Sequence, residues 1–216
     1  MAYTGDVAPG SAPQVRELPN LVITKVSVGP MDNNAYLLRC VSTGDQVLID
    51  AANEPERLLS LTGTAGLSTV VTTHRHADHW QGLSEVVGAT GARSLAHRVD
   101  AGELPVASEP VEDGDAIPVG DCALEVIHLV GHTPGSIALL YRDPSGIPHL
   151  FTGDSLFPGG PGRTTSPTDF NSLMDDLETK VFGQLPDETW FYPGHGKDST
   201  LGTERAAVPE WRARGW

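Results

Sequence analysis

Apolar residues recur along this chain in short runs, separated by turns rich in glycine, proline, asparagine and aspartate. Runs of about four to eight such residues with many β-branched side chains are typical of strands. They predict strands at residues 21–28, 35–41, 46–50, 69–73, 124–130, 137–142, 148–152 and 190–192. Helical periodicity predicts helices at residues 55–61, 79–87 and 168–185, and residues 203–216 are long enough for one closing helix at most.

The order of these elements predicts the fold class. Antiparallel strand pairs occur in both halves of the chain, and helices alternate with strands, which favours a mixed α/β (α+β) protein with two packed sheets and helices outside. Residues 1–19 contain Pro9, Pro13 and Pro19 and few apolar groups, so we predict a flexible N-terminal arm. We assign residues 20–216 to a single domain, which is long enough to bury a substantial core.

Composition narrows the choice of partners. The net charge is -14 at pH 7, and no basic stripe is visible, which argues against nucleic acid and anionic membranes as partners. Cys40 and Cys122 are too few for a disulfide framework and are predicted to be free thiols. No stretch resembles a secretion signal or a membrane span, so we expect a cytoplasmic location.

The densest chemistry lies in residues 74–79, His-Arg-His-Ala-Asp-His, directly after a predicted strand. Imidazoles and carboxylates are ligands that suit zinc, iron or manganese. Alternate spacing directs His74 and His76 the same way, while Asp78 and His79 turn toward a second position. Three imidazoles packed together without a metal would repel one another when protonated and would bury unpartnered nitrogens. The segment therefore predicts a metal site.

Three further candidate ligands each follow a predicted strand. His132 lies in the turn GHTPGS, Asp154 in TGD and His195 in PGHG, and glycines flank all three. Together with residues 74–79 they supply five imidazoles and two carboxylates. Such a set is large enough for two metal ions that share one bridging carboxylate and one bridging hydroxide.

The motifs HRHADH, GHTPGS, TGD and PGHG, in that order, resemble those of the metallo-β-lactamase superfamily. Within it they resemble the short branch of glyoxalase II-like (hydroxyacylglutathione hydrolase-like) thioester hydrolases. The resemblance implies an αββα four-layer sandwich and two divalent metal ions, with zinc expected and iron or manganese as alternatives. The ligands that it implies are His74, His76 and His132 for the first ion, Asp78, His79 and His195 for the second, and Asp154 as a bridge.

This ligand set suggests a mechanism. Two divalent ions lower the pKa of a bound water to about 7, and their excess charge stabilises the oxyanion that forms when hydroxide attacks a carbonyl. Asp78 and Asp154 are the carboxylates that we expect to act in catalysis. A thiol of pKa roughly 8.5 leaves as thiolate without a proton donor, so a small-molecule thioester is the favoured substrate. A proton carried by Asp78 would also allow an ester or a lactone.

Two residues are candidates for substrate binding. Arg163 lies in a loop rich in glycine, proline and threonine that follows Asp154, where it could bind a carboxylate or serve only as a surface or capping residue. Trp80 follows a metal ligand, where it could form a wall of the pocket or pack in the core. His97, His128 and His149 match no ligand position and are predicted to be structural or surface residues.

The chain also departs from the longer glyoxalase II enzymes. Only 21 residues follow His195, so we expect the helical domain that binds the thiol moiety to be missing. Ser136 stands where those enzymes often carry another histidine. The thiol carrier and the acyl group therefore stay open.

Other functions are alternatives to a thioester hydrolase. A mononuclear iron persulfide dioxygenase resembles this chain in GHT, TGD and GRT, and would use only His76, His132 and Asp154. A lactonase, a β-lactamase or another ester hydrolase of the superfamily is a further alternative, and the acidic surface disfavours a phosphodiesterase. A non-catalytic, metal-stabilised module would be expected to lack ligands, whereas all seven positions are filled here.

Overall fold

The structure, a computed structural model, describes residues 3–215. Residues 1–2 of the predicted arm and Trp216 of the predicted closing helix lie outside this range. The first sheet contains seven strands that follow chain order: β1 (Gln14–Glu17), β2 (Leu21–Val28), β3 (Asn33–Cys40), β4 (Gln46–Ile49), β5 (Thr69–Thr72), β6 (Arg93–His97) and β7 (Glu109–Val111). Strands β1 to β4 pair antiparallel, and β4 to β7 pair parallel.

The remaining strands form a second sheet and a short hairpin. They are β8 (Ala116–Val119), β9 (Cys122–His128), β10 (Ile137–Arg142), β11 (Pro148–Gly153), β12 (Leu156–Phe157), β13 (Gly160–Pro161), β14 (Trp190–Pro193) and β15 (Ser199–Thr200). The second sheet has the order β15-β14-β11-β10-β9-β8, and β12 pairs only with β13. Within the second sheet β11 and β14 are parallel, and the other pairs are antiparallel.

Helices cover the outer face of each sheet. They are α1 (Pro55–Thr62), α2 (Leu83–Thr90), α3 (Pro167–Asp176), α4 (Leu201–Arg205) and α5 (Val208–Arg214), and a π-helical turn (Leu177–Phe182) continues α3. No helix among the described residues is both long and apolar enough to cross a membrane. Cys40 and Cys122 are free thiols, as predicted.

Three apolar clusters define the layers. Successive side chains of a strand point to opposite faces, so Leu139 of β10 packs between the sheets while Leu140 packs against the helices. The cluster between the sheets includes Ile23 and Phe151, and the clusters outside them pack α3 and α5 on one face and α1 and α2 on the other. The predicted αββα four-layer sandwich is confirmed.

The predicted strands all occur, with ends that differ by up to two residues, but three predicted helices differ from those observed. Residues 79–87 are not one helix: Ala77–His79 form a 3₁₀ turn, and α2 begins at Leu83. The reason is that Gln81 and Gly82 donate their backbone N–H groups to the carbonyls of residues 52 and 51. Helix α3 begins at Pro167 because the Ser166 hydroxyl accepts a hydrogen bond from the Asp169 N–H. Residues 201–214 form two short helices instead of one.

The predicted N-terminal arm is corrected in part. Residues Gln14–Glu17 form β1 and pair with β2, because the edge of that strand offers unpaired backbone groups. Nearer the start, the Tyr3 hydroxyl donates to Asp198 Oδ2 at 2.6 Å, and the Gly5 carbonyl accepts from Lys25 Nζ at 2.7 Å. Sheet pairing therefore begins at Gln14, within the range 1–19 that was assigned to the arm.

Candidate metal centre

The predicted ligands come together at one edge of the two sheets, in loops that follow strands. His74 and His76 follow β5, and Asp154 directly follows β11. His132 lies between β9 and β10, and His195 lies after β14. Parallel strands of one sheet end at the same edge, so their loops meet there.

The ligand atoms fall into two clusters. The first cluster is His74, His76 and His132, and the second cluster is Asp78, His79 and His195; within each cluster the donor atoms lie within 4.8 Å of one another. His74, His79 and Asp154 form a third such grouping that joins the two. The structure thus brings together all seven residues that the motifs predicted.

Asp154 lies between the clusters. Its Oδ1 is 3.4 Å from His79 Nε2, and its Oδ2 is 3.7 Å from His132 Nε2 and 3.6 Å from His195 Nε2. The two oxygens of one carboxylate therefore face ligands of both clusters, which is the position that a bridging ligand requires.

The donor set fits metal ions. His79 Nε2 and Asp154 Oδ1 are buried, and neither has a hydrogen-bond partner among residues 3–215. Burial of unpartnered polar atoms is costly unless something else binds them. His74 Nε2 and His132 Nε2 lie 3.3 Å apart, and at most one of two such nitrogens can donate to the other. Cations bound at the two clusters would give these atoms the partners that they lack.

The far nitrogen of four imidazoles is held by the protein. Nδ1 of each pairs with an oxygen: His74 with Thr73 Oγ1 at 3.0 Å, His79 with Asp50 Oδ2 at 2.8 Å, His132 with the Arg163 carbonyl at 2.7 Å, and His195 with the Met31 carbonyl at 3.0 Å. Such a bond fixes the ring and leaves Nε2 directed into the site. This arrangement is typical of metal-binding histidines.

The first cluster consists of neutral imidazoles. Burial lowers the pKa of His74 well below its usual value, and the neighbouring imidazoles of His79 and His132 lower it further. Burial also lowers the pKa of His76 and of His132. Neutral imidazole is the form that binds a metal, so these three side chains are ready to do so at neutral pH.

The second cluster attracts positive charge. Burial disfavours the charged form of His79, but the carboxylates of Asp50 and Asp154 outweigh it and raise its pKa to about 10. Burial opposes ionisation of Asp78 and Asp154, yet the hydrogen bond from Asn33 to Asp78 and the contact of Asp154 with His79 keep the pKa of both carboxyls below its usual value. A proton or a metal ion at His79 Nε2 would balance this negative charge.

Asp50 is a residue of the site that the sequence analysis missed. It follows β4, is 2 % exposed, and binds three groups through its carboxylate. Oδ1 accepts from the Thr73 N–H at 2.7 Å, and Oδ2 accepts from Thr73 Oγ1 at 2.8 Å and pairs with His79 Nδ1 at 2.8 Å. Asn33 was also missed; it donates to Asp78 Oδ2 at 2.9 Å. The signal for Asp50 was a carboxylate at the end of an apolar run.

Two glycines allow the loops to meet. A Cβ atom on Gly194 would lie 2.2 Å from Asp154 Oδ1 and 2.6 Å from His79 Cε1, in the space between the clusters. A Cβ atom on Gly162 would lie 1.6 Å from the Asp154 carbonyl oxygen. Any side chain at either position would displace Asp154.

The two candidate substrate residues have structural contacts of their own. The Trp80 indole donates to the Arg75 carbonyl at 2.8 Å, and the ring packs against the core cluster under α1 and α2. The Arg163 side chain is exposed, and its backbone carbonyl binds His132. Their roles toward substrate remain predictions.

The other three histidines belong to none of the ligand groupings. His97 and His128 stack on each other with ring centroids 3.8 Å apart. His149 is buried, and its Nδ1 lies 2.8 Å from the Tyr192 hydroxyl. These contacts agree with the predicted structural and surface roles.

Comparison with known proteins places the chain in a family. The metallo-beta-lactamase superfamily matches residues 28–195, so the chain belongs to this superfamily. A hydroxyacylglutathione hydrolase from Polaromonas sp. (strain JS666 / ATCC BAA-500) is 34% identical over 179 residues, which are 81% of this chain and 66% of that protein. The chain thus spans just under two thirds of that relative's length.

Two solved structures are also similar. ETHE1 from Myxococcus xanthus has a TM-score of 0.76 and 29% identity, and the match covers 88% of this chain and 84% of that one. TTHA1623 in a di-iron-bound form has a TM-score of 0.70 and 33% identity, covering 84% of this chain and 96% of that one. Members of this superfamily bind two divalent metals, and the two clusters described above agree with that number.

Proposed function

We propose that this protein is a metal-dependent hydrolase that binds two divalent ions and cleaves a thioester. Zinc is the metal that we expect. The observation that carries the proposal is the position of Asp154. One oxygen faces His79 at 3.4 Å, and the other faces His132 at 3.7 Å and His195 at 3.6 Å. A carboxylate shared between two clusters suits a dinuclear site better than a mononuclear one.

The comparisons support the substrate class and the choice of metals. Relatives at 34% identity are named hydroxyacylglutathione hydrolase, which supports a hydroxyacyl thioester as substrate. The di-iron form of TTHA1623 keeps iron as an alternative to zinc in this proposal. Manganese fits the same nitrogen and oxygen donors.

The residues of the chain divide the work. Two divalent ions would supply a water of lowered pKa and positive charge for a developing oxyanion. Neutral imidazoles of the first cluster present nitrogen donors, and Asn33 fixes the Asp78 carboxylate. The side chains that hold the ligands are Asn33, Asp50 and Thr73, which are not proton donors for a leaving alkoxide at neutral pH. A thiolate needs none, which favours a thioester.

A mononuclear iron persulfide dioxygenase is the second candidate. The likeness to ETHE1 is consistent with it. In that case His76, His132 and Asp154 would hold the iron, and the second cluster would be dispensable. A lactonase or another ester hydrolase of the superfamily is the third candidate, in which Asp78 would protonate the leaving group.

Metal content and substrate choice test the proposal together. Protein purified without added metal is analysed for its metals, then assayed on S-lactoylglutathione and on a matched lactoyl oxygen ester. We expect two metals per chain and a clear preference for the thioester. One iron per chain, with oxygen consumed in the presence of a thiol persulfide and no thioester cleavage, would overturn the proposal in favour of the dioxygenase. Preference for the oxygen ester or a lactone would favour the third candidate.

A further inference from the structure

Asp100 is a buried carboxylate beside the first cluster that no motif singled out. It lies three residues after β6, in the turn that precedes Ala101–Glu103, and only 1 % of it is exposed. Strand β6 is parallel to β5, so Asp100 lies at the same sheet edge as His74 and His76. An ionised side chain at such a position needs full hydrogen bonding to offset its loss of water.

The carboxylate of Asp100 joins two loops. Oδ2 accepts from the Arg75 N–H at 3.0 Å and from Thr133 Oγ1 at 2.6 Å, and Oδ1 accepts from the Gly135 N–H at 3.0 Å. Arg75 lies between the ligands His74 and His76, and Thr133 follows the ligand His132. The two loops extend from different sheets, so one side chain spans the sandwich at the first cluster.

The neighbours of Asp100 are shaped around it. A Cβ atom on Gly135 would lie 2.6 Å from Asp100 Cγ, so only glycine leaves room for the carboxylate. The Ser136 hydroxyl lies 2.7 Å from Thr133 Oγ1 and accepts from the Thr133 N–H at 3.1 Å, which orients the threonine toward Asp100. Three charge-assisted hydrogen bonds thus converge on this carboxylate.

We propose that Asp100 is a positioning residue for the first cluster. It fixes the loop of His74 and His76 relative to the loop of His132. The inference rests on the proposed function, because it concerns the metal site. His74 Nε2 and His132 Nε2 are 3.3 Å apart although they come from different sheets, so a small relative shift of the loops changes the spacing of the donors. Asp100 acts through Arg75, Thr133 and Gly135 rather than by touching a metal.

Asp100→Asn tests this role, since an amide keeps the volume but turns one acceptor into a donor that faces N–H or O–H donors. Asp143→Asn is the matched control: Asp143 is also buried, at 5 % exposed, and accepts from the Ser145 N–H at 2.7 Å in the turn at the opposite ends of β10 and β11. Zinc loss to a chelator, kcat, KM and thermal stability are measured for both variants.

We expect Asp100→Asn to weaken zinc binding about 10- to 100-fold and to lower kcat while KM changes little, because outer-shell partners of metal ligands have effects of this size. In the metal-free protein, the Arg75 and Gly135 amides should exchange with solvent faster. A variant with lower thermal stability but unchanged zinc loss and kcat, as expected for Asp143→Asn, would overturn the inference.

If Asp100→Asn does not fold, Thr133 provides the second test. Thr133→Val removes the hydroxyl that bonds Asp100 and Ser136 and should speed zinc loss about 10-fold. Thr133→Ser keeps the hydroxyl and should restore the rate of zinc loss to that of the wild type. Equal zinc loss in both would overturn the inference. A wild-type protein that holds two metals but cleaves no thioester would refute the proposed substrate and leave the zinc measurements for Asp100 decisive; one that binds no metal would overturn both.

Discussion

The two clusters are built differently, although they share Asp154. The first cluster contains three imidazoles whose pKa values are lowered by burial, and its loops are joined by Asp100, which touches no ligand directly. The second cluster mixes a carboxylate with two imidazoles, and Asp50 binds its ligand His79 directly. Asp50 reaches the first cluster only indirectly, through Thr73 and His74, so a change to either support should weaken one metal site more than the other.

The largest effect is expected where the clusters meet. Asp154→Asn removes the charge that both clusters share, so it should lower metal content at both and reduce turnover by more than about 100-fold, which exceeds the usual effect of an outer-shell partner. Elemental analysis and steady-state kinetics measure this. His97→Ala, outside the clusters, serves as the control and should keep both metals. Normal turnover in Asp154→Asn would contradict the bridging role.

Loss of one ligand separates the clusters. His195→Ala should remove about one metal equivalent and lower thioester turnover by about 100-fold or more, because the dinuclear site needs both ions. His76→Ala is the corresponding variant of the first cluster and should lose the metal ion of that cluster. Metal content and activity of the two variants are compared side by side. Oxygen consumption with a thiol persulfide at the wild-type rate, in His195→Ala protein that holds one iron, would instead identify the mononuclear dioxygenase.

The support of the second cluster gives a smaller effect. Asp50→Asn replaces the partner of His79, and asparagine tolerates the left-handed backbone at this position, where φ is 58°. We expect the second metal to bind about 10- to 100-fold more weakly and the first metal to weaken less, because Asp50 reaches His74 only through Thr73 Oγ1. Zinc titration of the metal-free variant measures both sites. If both sites weaken equally, the clusters do not have separate supports.

A buried ion pair steadies the His195 loop from the far side. Lys25 Nζ lies 2.6 Å from Asp198 Oδ1 and donates to the Gly196 carbonyl at 2.8 Å, and both side chains are fully buried. Lys25→Met leaves the buried Asp198 with the Tyr3 hydroxyl but without its cation, so the free energy of unfolding should fall by about 3–5 kcal/mol. Chemical denaturation measures it.

The matched control for Lys25 is an exposed pair in the same region. Lys197 Nζ and Asp6 Oδ2 lie 2.9 Å apart, with side chains 68% and 56% exposed. Lys197→Met should change the free energy of unfolding by no more than about 1 kcal/mol. Equal losses in the two variants would show that burial of the Lys25 pair adds nothing to its effect.

Most central strands could be predicted from the sequence, although β6 was missed, and the edge strands could not be predicted. Strand β10 carries an almost continuous apolar run because both of its faces are covered, and β2 is rich in valine and isoleucine; the predicted ends of both strands match those observed. Strands β1, β7 and β8 lie at sheet edges, where the lack of a second neighbour tolerates polar residues and prolines such as Pro110 and Pro118. Such segments lack the pattern by which a strand is predicted.

The site shows the same division. The seven ligands lie in short sequence motifs that predict metal binding without knowledge of the fold. Asp50 and Asp100 were missed because each binds groups 23 to 35 residues away. The pairing of strands β4, β5 and β6 brings some of these groups to them, and the packing of the two sheets brings the loop between β9 and β10 to Asp100. A single buried aspartate carries no sequence signal that reveals what it binds.

The smallest effect is expected at His149, which belongs to neither cluster. Its titration changes the stability of the fold with pH, and this change has to be known before the two clusters are compared at different pH values. Burial lowers the pKa of His149 to about 4, whereas a histidine in the unfolded chain titrates near 6.5. As the pH falls, the unfolded chain takes up this proton first, so the contribution of His149 to stability is full above about pH 6.5 and is lost toward pH 4. Between pH 7 and pH 5 the loss amounts to about 2 kcal/mol.

His149→Gln removes this titration and keeps an acceptor for the Tyr192 hydroxyl. From pH 7 to pH 5 the free energy of unfolding of the wild type should therefore fall by about 2 kcal/mol more than that of the variant. Denaturation of the metal-free proteins at both pH values measures it, so that metal release does not enter. If the difference in free energy of unfolding between the two proteins stays constant, His149 does not contribute to the acid sensitivity of the fold. The ligand imidazoles would then account for it, and pH could not separate metal binding at the two clusters from folding.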